Sequence, residues 1–189
     1  MKTIRIAQAA IAASLIATAT FADDWNGLSV GVTYGIGDLT TEVPFRDFDL
    51  IATGLNVRFL AQGDGPFVAG VEGGWHSYDG EITKSRRLKS ETANYGFDVS
   101  GLIGVDLPVS RWIGRDVGHF LPHAIGGLSY INTSLHGSEG YHYGFGVIWK
   151  PSKGNVSVTL RHTYREFDGP AQGSDLRAPT TGLMVHWTF

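Results

Sequence analysis

The feature that most narrows the possible folds is a period of two that recurs along the chain. From Tyr141, the residues Tyr141, Tyr143, Phe145, Val147 and Trp149 share one face, while His142, Gly144, Gly146, Ile148 and Lys150 share the other. Leu28, Val30, Val32, Tyr34 and Ile36 alternate in the same way with Ser29, Gly31, Thr33 and Gly35. Such alternation places successive side chains on opposite faces of an extended strand, and no segment sustains helical periodicity instead. Further runs of this kind are Ile51 to Phe59, Phe67 to His76, Asn94 to Val105, Leu121 to Ile131, Val156 to Arg165 and Thr181 to Phe189. In the third of these, Tyr95, Phe97 and Val99 are expected to oppose Asn94, Gly96 and Asp98. Two initial runs and six further ones predict about eight strands.

The N-terminus has the layout of a secretory signal peptide. Lys2 and Arg5 are its only charges, a largely apolar stretch runs from Ile6 to Ile16, and small residues lead to Ala22. A basic start, a short apolar centre and a small-residue cleavage tripeptide define such a leader. The acidic pair Asp23 and Asp24 favours cleavage after Thr20-Phe21-Ala22. The expected organisation is therefore a signal peptide over 1–22 and one domain over 23–189. A membrane-spanning helix needs about 20 strongly apolar residues, and nothing after the leader reaches that length. If the mature chain sits in a membrane, only a closed β-barrel satisfies every backbone N–H and C=O within hydrocarbon.

Removal of residues 1–22 leaves 167 residues with 13 basic and 18 acidic side chains. A net charge of −5 lacks the basic face that nucleic acid requires. Cysteine is absent, which excludes disulfides and a thiol nucleophile. The 26 glycines beside 22 aromatic residues need an architectural reason, because glycine ordinarily weakens strands.

The make-up of the less apolar face supplies that reason. A soluble barrel would cover this face with Lys, Glu and Thr, whereas here it carries glycine, serine and isolated charges of both signs. Small residues beside a few pairing charges suit the interior of a narrow barrel, which side chains just fill. The fold expected is all-β: an eight-stranded antiparallel up-and-down transmembrane barrel with its aromatic face towards lipid. Trp25, Trp75, Tyr95, Trp149 and Trp187 are expected in the interfacial girdles. Connections alternate between short turns, at Gln62–Pro66 and Pro151–Asn155, and longer polar loops, at Gly37–Asp49, Asp79–Glu91, Asn132–Glu139 and Asp168–Pro179. That asymmetry is characteristic of outer-membrane barrels, with the short turns periplasmic. The segment Leu107–Gly118 is too long for the short-turn side and has no explanation in the sequence.

Several segments resemble small outer-membrane β-barrel proteins of the OmpA-like and opacity-protein-like family. The stretch from Trp25 to Gly31 resembles an opening Trp-x-Gly-aromatic-x-x-Gly strand, with Leu28 in the aromatic position. Leu121-Pro122-His123-Ala124-Ile125-Gly126-Gly127-Leu128-Ser129-Tyr130 is similar to a Leu-Pro-Tyr-x-x-Gly-Gly-x-x-Tyr strand, departing at His123. Leu160 to Asp168 resembles the penultimate strand, and Phe189 after Trp187 looks like the C-terminal signal read by the barrel assembly machinery. The resemblance implies the fold, a bacterial outer-membrane location and contact with lipid and lipopolysaccharide. It says less about activity, since one fold hosts many functions.

Candidate functional residues fall into four groups. Arg58, Glu72, Asp98, Arg161 and Arg165 share the interior face and are expected to pair as a plug, the alternative being a charge-lined ion path. Lys84, Arg86, Arg87 and Lys89 lie in the second long loop, where phosphates of lipopolysaccharide are the natural partners. His119 and His123 stand four apart without further metal-ligand spacing, and Gly27-Leu28-Ser29-Val30-Gly31 matches a nucleophile elbow in letters only, since no helix follows. The enzymatic rival is a lipid A deacylase, whose family pairs His with Ser two residues later. The nearest match, His162-Thr163-Tyr164 with Glu166 following, puts a tyrosine in the nucleophile's place. No cofactor, metal or catalytic residue is expected, and a small porin remains as a further alternative.

Overall fold

A computed structural model describes residues 25–41, 46–79, 93–109, 117–133, 137–168 and 175–189. Among these described residues are nine strand segments: β1 (Gly27–Thr41), β2 (Arg46–Gln62), β3 (Phe67–Asp79), β4 (Ala93–Val105), β5 (His119–Thr133), β6 (Gly137–Lys150), β7 (Val156–Phe167), β8 (Leu176–Arg177) and β9 (Thr180–Thr188). Each pairs antiparallel with its neighbours, and β9 pairs with both β7 and β1 to close the ring. β8 occupies the same slot as β9, between Thr40–Thr41 of β1 and Glu166–Phe167 of β7. The two are therefore one barrel strand, interrupted at Ala178-Pro179. Pro179 has no N–H to give the ladder, but its carbonyl still accepts from the Asp38 amide at 3.2 Å. The architecture is a closed eight-stranded antiparallel barrel.

Burial runs opposite to that of a soluble protein. Val32, Leu55, Val99, Ile103, Leu128, Phe145 and Leu160 are among the apolar side chains exposed on the outer wall, whereas arginine, glutamate, aspartate and histidine are buried inside. Only a hydrocarbon solvent makes that distribution favourable, because a contiguous apolar surface of this extent is costly in water. Trp149 and Trp187 lie outward near the short-turn end, and Trp75 and Tyr95 lie outward towards the loop end. Trp25 does not join these girdles. It is only 4 % exposed, because the chain enters through the short-turn mouth and turns the indole into the lumen.

The interior has three layers. At the loop end Leu39, Leu50, Tyr78, Ile131, Phe167 and Leu176 form one apolar cluster. At the short-turn end Trp25, Leu60, Val68, Leu102, Leu121, Ile125 and Ile148 form another. Polar residues fill the space between. Glycine makes room for them: a Cβ on Gly74 would lie 2.7 Å from Asn56 Oδ1 and 2.8 Å from His76 Nε2. The expectation of an interior of glycine and charges is thus correct for the middle layer, while both apolar caps go beyond it.

Strand pairing outlasts the hydrophobic alternation, which corrects three of the expected loops. β1 and β2 continue through Asp38 opposite Asp49, β5 and β6 through Asn132 opposite Gly137, and Leu176–Arg177 pairs where a loop to Pro179 was expected. Beyond the lipid an outward side chain no longer needs to be apolar, so the ladder persists where its signature disappears. Asn94 is also corrected: it is exposed rather than interior, because the register with β5 shifts between Ala93 and Tyr95, and one extra residue at a bulge reverses the facing of what precedes it.

The ends of the puzzling 107–118 segment are pinned to the short-turn rim. Leu107 and Phe120 exchange backbone hydrogen bonds at 2.8 and 3.0 Å, and the Asp106 amide donates to Pro66 O at 2.7 Å. The Trp149 indole donates to Val117 O at 2.8 Å, and His119 Nδ1 lies 3.0 Å from Asp106 Oδ1. Residues 110–116 lie outside the described residues.

Candidate functional site in the barrel lumen

Register brings the five interior charges together in two groups. Arg58 on β2 stands directly opposite Glu72 on β3, and Arg161 reaches from β7 across the lumen to donate from Nη2 to Glu72 Oε1 at 2.7 Å. Arg58 turns its fork the same way, with Nη1 donating to Thr159 Oγ1 at 3.2 Å and Nη2 to Ser157 Oγ at 3.1 Å. Strands distant in sequence are thereby tied through the barrel's centre rather than along its wall.

The second group lies nearer the loop end and is centred on Asp98 of β4. Arg165 donates to Asp98 Oδ2 from Nε at 3.1 Å and from Nη2 at 2.7 Å, and its Nη1 donates to Thr180 Oγ1 at 2.6 Å. His76 Nε2 is 3.0 Å from the same carboxylate oxygen, and Ser129 Oγ donates to Oδ1 at 2.6 Å. His142 continues the chain, with Nδ1 at 2.8 Å from Ser129 Oγ and Nε2 at 2.7 Å from Ser100 Oγ. A carboxylate, hydroxyl, imidazole and hydroxyl thus run in line. Ser100 is 4 % exposed, so this relay presents no hydroxyl to a substrate; its geometry orients the imidazole and satisfies a buried carboxylate.

Taking ions out of water is costly unless their hydrogen bonds are replaced. Asp98 meets that condition with four donor atoms from three side chains: Nε and Nη2 of Arg165, Nε2 of His76 and Oγ of Ser129. The charges are conspicuous in the sequence, whereas His76, His142, Ser100 and Ser129, which serve Asp98, are not. Their signal was available, since each alternates onto the interior face of its own strand.

The remaining candidates are placed differently. His123 faces the lumen, with Nδ1 3.2 Å from Leu121 O, whereas His119 pairs with Asp106 on the rim, so the two share no site. Among the described residues no group of His, Cys, Asp and Glu has metal-site geometry. His162 faces outward, its Nδ1 2.8 Å from Thr181 Oγ1 and its ring edge-on to Tyr164 at 4.6 Å. Glu166 is engaged elsewhere, by the Tyr141 hydroxyl and by Arg177 Nε at 3.0 Å. Phe189 is 78 % exposed at the end of β9, its amide donating to Leu28 O at 3.0 Å. Residues 1–22 and the basic residues Lys84, Arg86, Arg87 and Lys89 lie outside the described residues.

A family model described as outer membrane protein beta-barrel domain matches residues 8–189. The chain belongs to this family. As an outer-membrane barrel it resides in the bacterial outer membrane, which accounts for its inverted burial. Among solved structures, the crystal structure of Neisserial surface protein A is similar with a TM-score of 0.56 at 11% identity, covering 87% of this chain and 98% of that one. The attachment invasion locus protein of Yersinia pestis, solved with the heparin analogue sucrose octasulfate, has a TM-score of 0.48 at 14% identity, covering 87% of this chain and 99% of that one. At 11% identity the likeness to Neisserial surface protein A speaks for the fold alone. No curated protein sequence matches the outer-membrane barrel described here.

Proposed function

We propose that this outer-membrane barrel is a non-enzymatic envelope protein, stabilising the membrane and presenting surface loops, with little or no conductance. The supporting observation is the layered interior: apolar clusters at both ends enclose an ion-paired middle. An ion path would need a continuous hydrated route between charged rings, and eight strands leave little or no channel. The signal peptide over 1–22 directs export in this reading, and the exposed Phe189 on the last strand offers the assembly machinery its signal. Lys84, Arg86, Arg87 and Lys89 contact lipopolysaccharide phosphates. Protein purified from outer membranes and reconstituted in planar bilayers is expected to give no discrete current steps. Steps that change with Arg58 or Glu72 substitutions would establish the small-pore alternative instead.

One observation favours a second reading, a lipid A deacylase. The outward imidazole of His162 bonds a hydroxyl, that of Thr181, beside a groove of the wall lined by Phe145, Val147 and Leu160. Against it, Tyr164 supplies no serine-like nucleophile, and Glu166 is bound to Tyr141 and Arg177 rather than to His162. Under this reading His162→Ala alters the lipid A species of the cell; the envelope reading expects an unchanged profile.

A further inference from the structure

We propose that the short-turn mouth of the lumen is a binding site for a small monovalent anion of halide size, seated against the guanidinium of Arg58. The first argument is charge. Among the described residues three arginines and two carboxylates are buried in the interior, which leaves one positive charge in surplus, histidines aside. Asp98 is committed to Arg165 and the Glu72 hydrogen bond goes to Arg161. Arg58 stands opposite Glu72 and shares that carboxylate's field with Arg161, but among the described residues its own hydrogen bonds go to the hydroxyls of Ser157 and Thr159, so of the two arginines around Glu72 it is the one without a carboxylate acceptor.

The second argument is an array of donors. The Arg58 Nε, the Trp25 indole Nε1 and the Asn26 amide Nδ2 are all buried with no hydrogen-bond partner among the described residues. All three residues line a single small cavity, together with Ser157 and Lys150. Buried N–H groups are almost always satisfied in native proteins, and three unpartnered donors on residues that line one space call for an acceptor there. The Lys150 ammonium stands 5.8 Å from the centre of the Trp25 ring, adding positive potential at the rim. A water molecule there would satisfy N–H groups and leave the charge; an anion does both.

Size selects the class of anion. The space admits the centre of a water-sized sphere over ≈ 10 Å³, about what one such particle needs. Chloride and bromide come close to that size, whereas a carboxylate, phosphate or sulfate is much larger. The cavity adjoins the short-turn end, so its occupant comes from the aqueous phase on that side.

The test is urea unfolding of the protein purified from outer membranes into detergent, in sodium chloride against sodium gluconate at equal ionic strength. The folded fraction is read by heat-modifiable gel mobility. The expected result is a higher midpoint in chloride that saturates with concentration, reproduced by bromide and absent in gluconate. Trp25→Phe keeps the ring and deletes one donor, so half-saturation rises roughly tenfold, the worth of one hydrogen bond to a charged group. Arg58→Met abolishes the dependence; should it fail to fold, Trp25→Phe decides. Equal midpoints in chloride and gluconate would mean that water alone occupies the site, and the proposal fails. It fails equally if the chloride effect is unchanged in Trp25→Phe, since the ion then acts elsewhere.

Discussion

Asp98 is the point at which the interior network is most sensitive. Replacing it by alanine leaves the Arg165 guanidinium buried with Thr180 as its remaining hydrogen-bond acceptor and deprives His76 of its own, while Ser129 keeps His142 as a partner. Breaking one partner from a buried ion pair costs about 3–5 kcal/mol, chiefly through the uncompensated charge left behind. The orphaned His76 imidazole places Asp98→Ala towards the upper end of that range. Most of the loss should be recovered by removing the other charge. In Asp98→Ala/Arg165→Met an apolar chain of similar length takes the arginine's place, and such replacements are often close to neutral. A double-mutant cycle by urea unfolding in detergent micelles should therefore give a coupling of about 2–3 kcal/mol. If Asp98→Ala falls within about 0.5 kcal/mol of the parent, as an ordinary surface change would, the carboxylate is not holding the lumen together. A double variant less stable than the single would equally refute the electrostatic account.

Three further outcomes follow from the wall and the caps. Val99, 66 % exposed at mid-strand, should lose about 2–4 kcal/mol as Val99→Lys if it faces hydrocarbon; folding titrations in lipid vesicles measure this, and a neutral result would contradict the lipid-facing assignment. Gly74→Val drives a side chain against Asn56 and His76 and should cost about 1–3 kcal/mol or more by overpacking, whereas Gly101→Ala, whose Cβ would have Gly126 O at 3.9 Å as its nearest neighbour, should be nearly silent in the same unfolding assay. Trp25→Ala removes the largest member of the short-turn cap and should cost about 3–5 kcal/mol; a midpoint equal to the parent's would show that the indole does not pack the lumen.

What was legible in the chain depended on which solvent each residue meets. Within the lipid belt, outward Val, Leu, Phe and Tyr alternate with inward Gly, Ser and charge, and strands such as β6 could be written down residue by residue. Above the belt the rule lapses. Asp38 and Asp49 pair across β1 and β2 as regularly as Val32 and Leu55 do, yet no apolar pattern marks them. The interior charges were found because an isolated Glu72 or Arg161 is conspicuous among small residues. Which charge meets which was not, because Arg161–Glu72 and Arg165–Asp98 span 89 and 67 residues of sequence. Those distances close only when the register of the intervening strands is set. Trp25 was misjudged for a related reason. Amphipathic rings near strand ends suit an interface, and only the path of the chain into the mouth distinguishes a ring inside from one outside.

The meeting of β1 and β9 bears on how such a chain comes to rest in a membrane. Nine residue pairs, from Ser29 opposite Thr188 to Gly37 opposite Thr180, make that junction. Until the final segment docks, β1 and β7 each present a row of unpaired amides and carbonyls, which hydrocarbon does not tolerate. Strands cannot be delivered to lipid singly as helices can. The earliest part of the barrel must wait for the latest, so insertion is a property of the completed polypeptide.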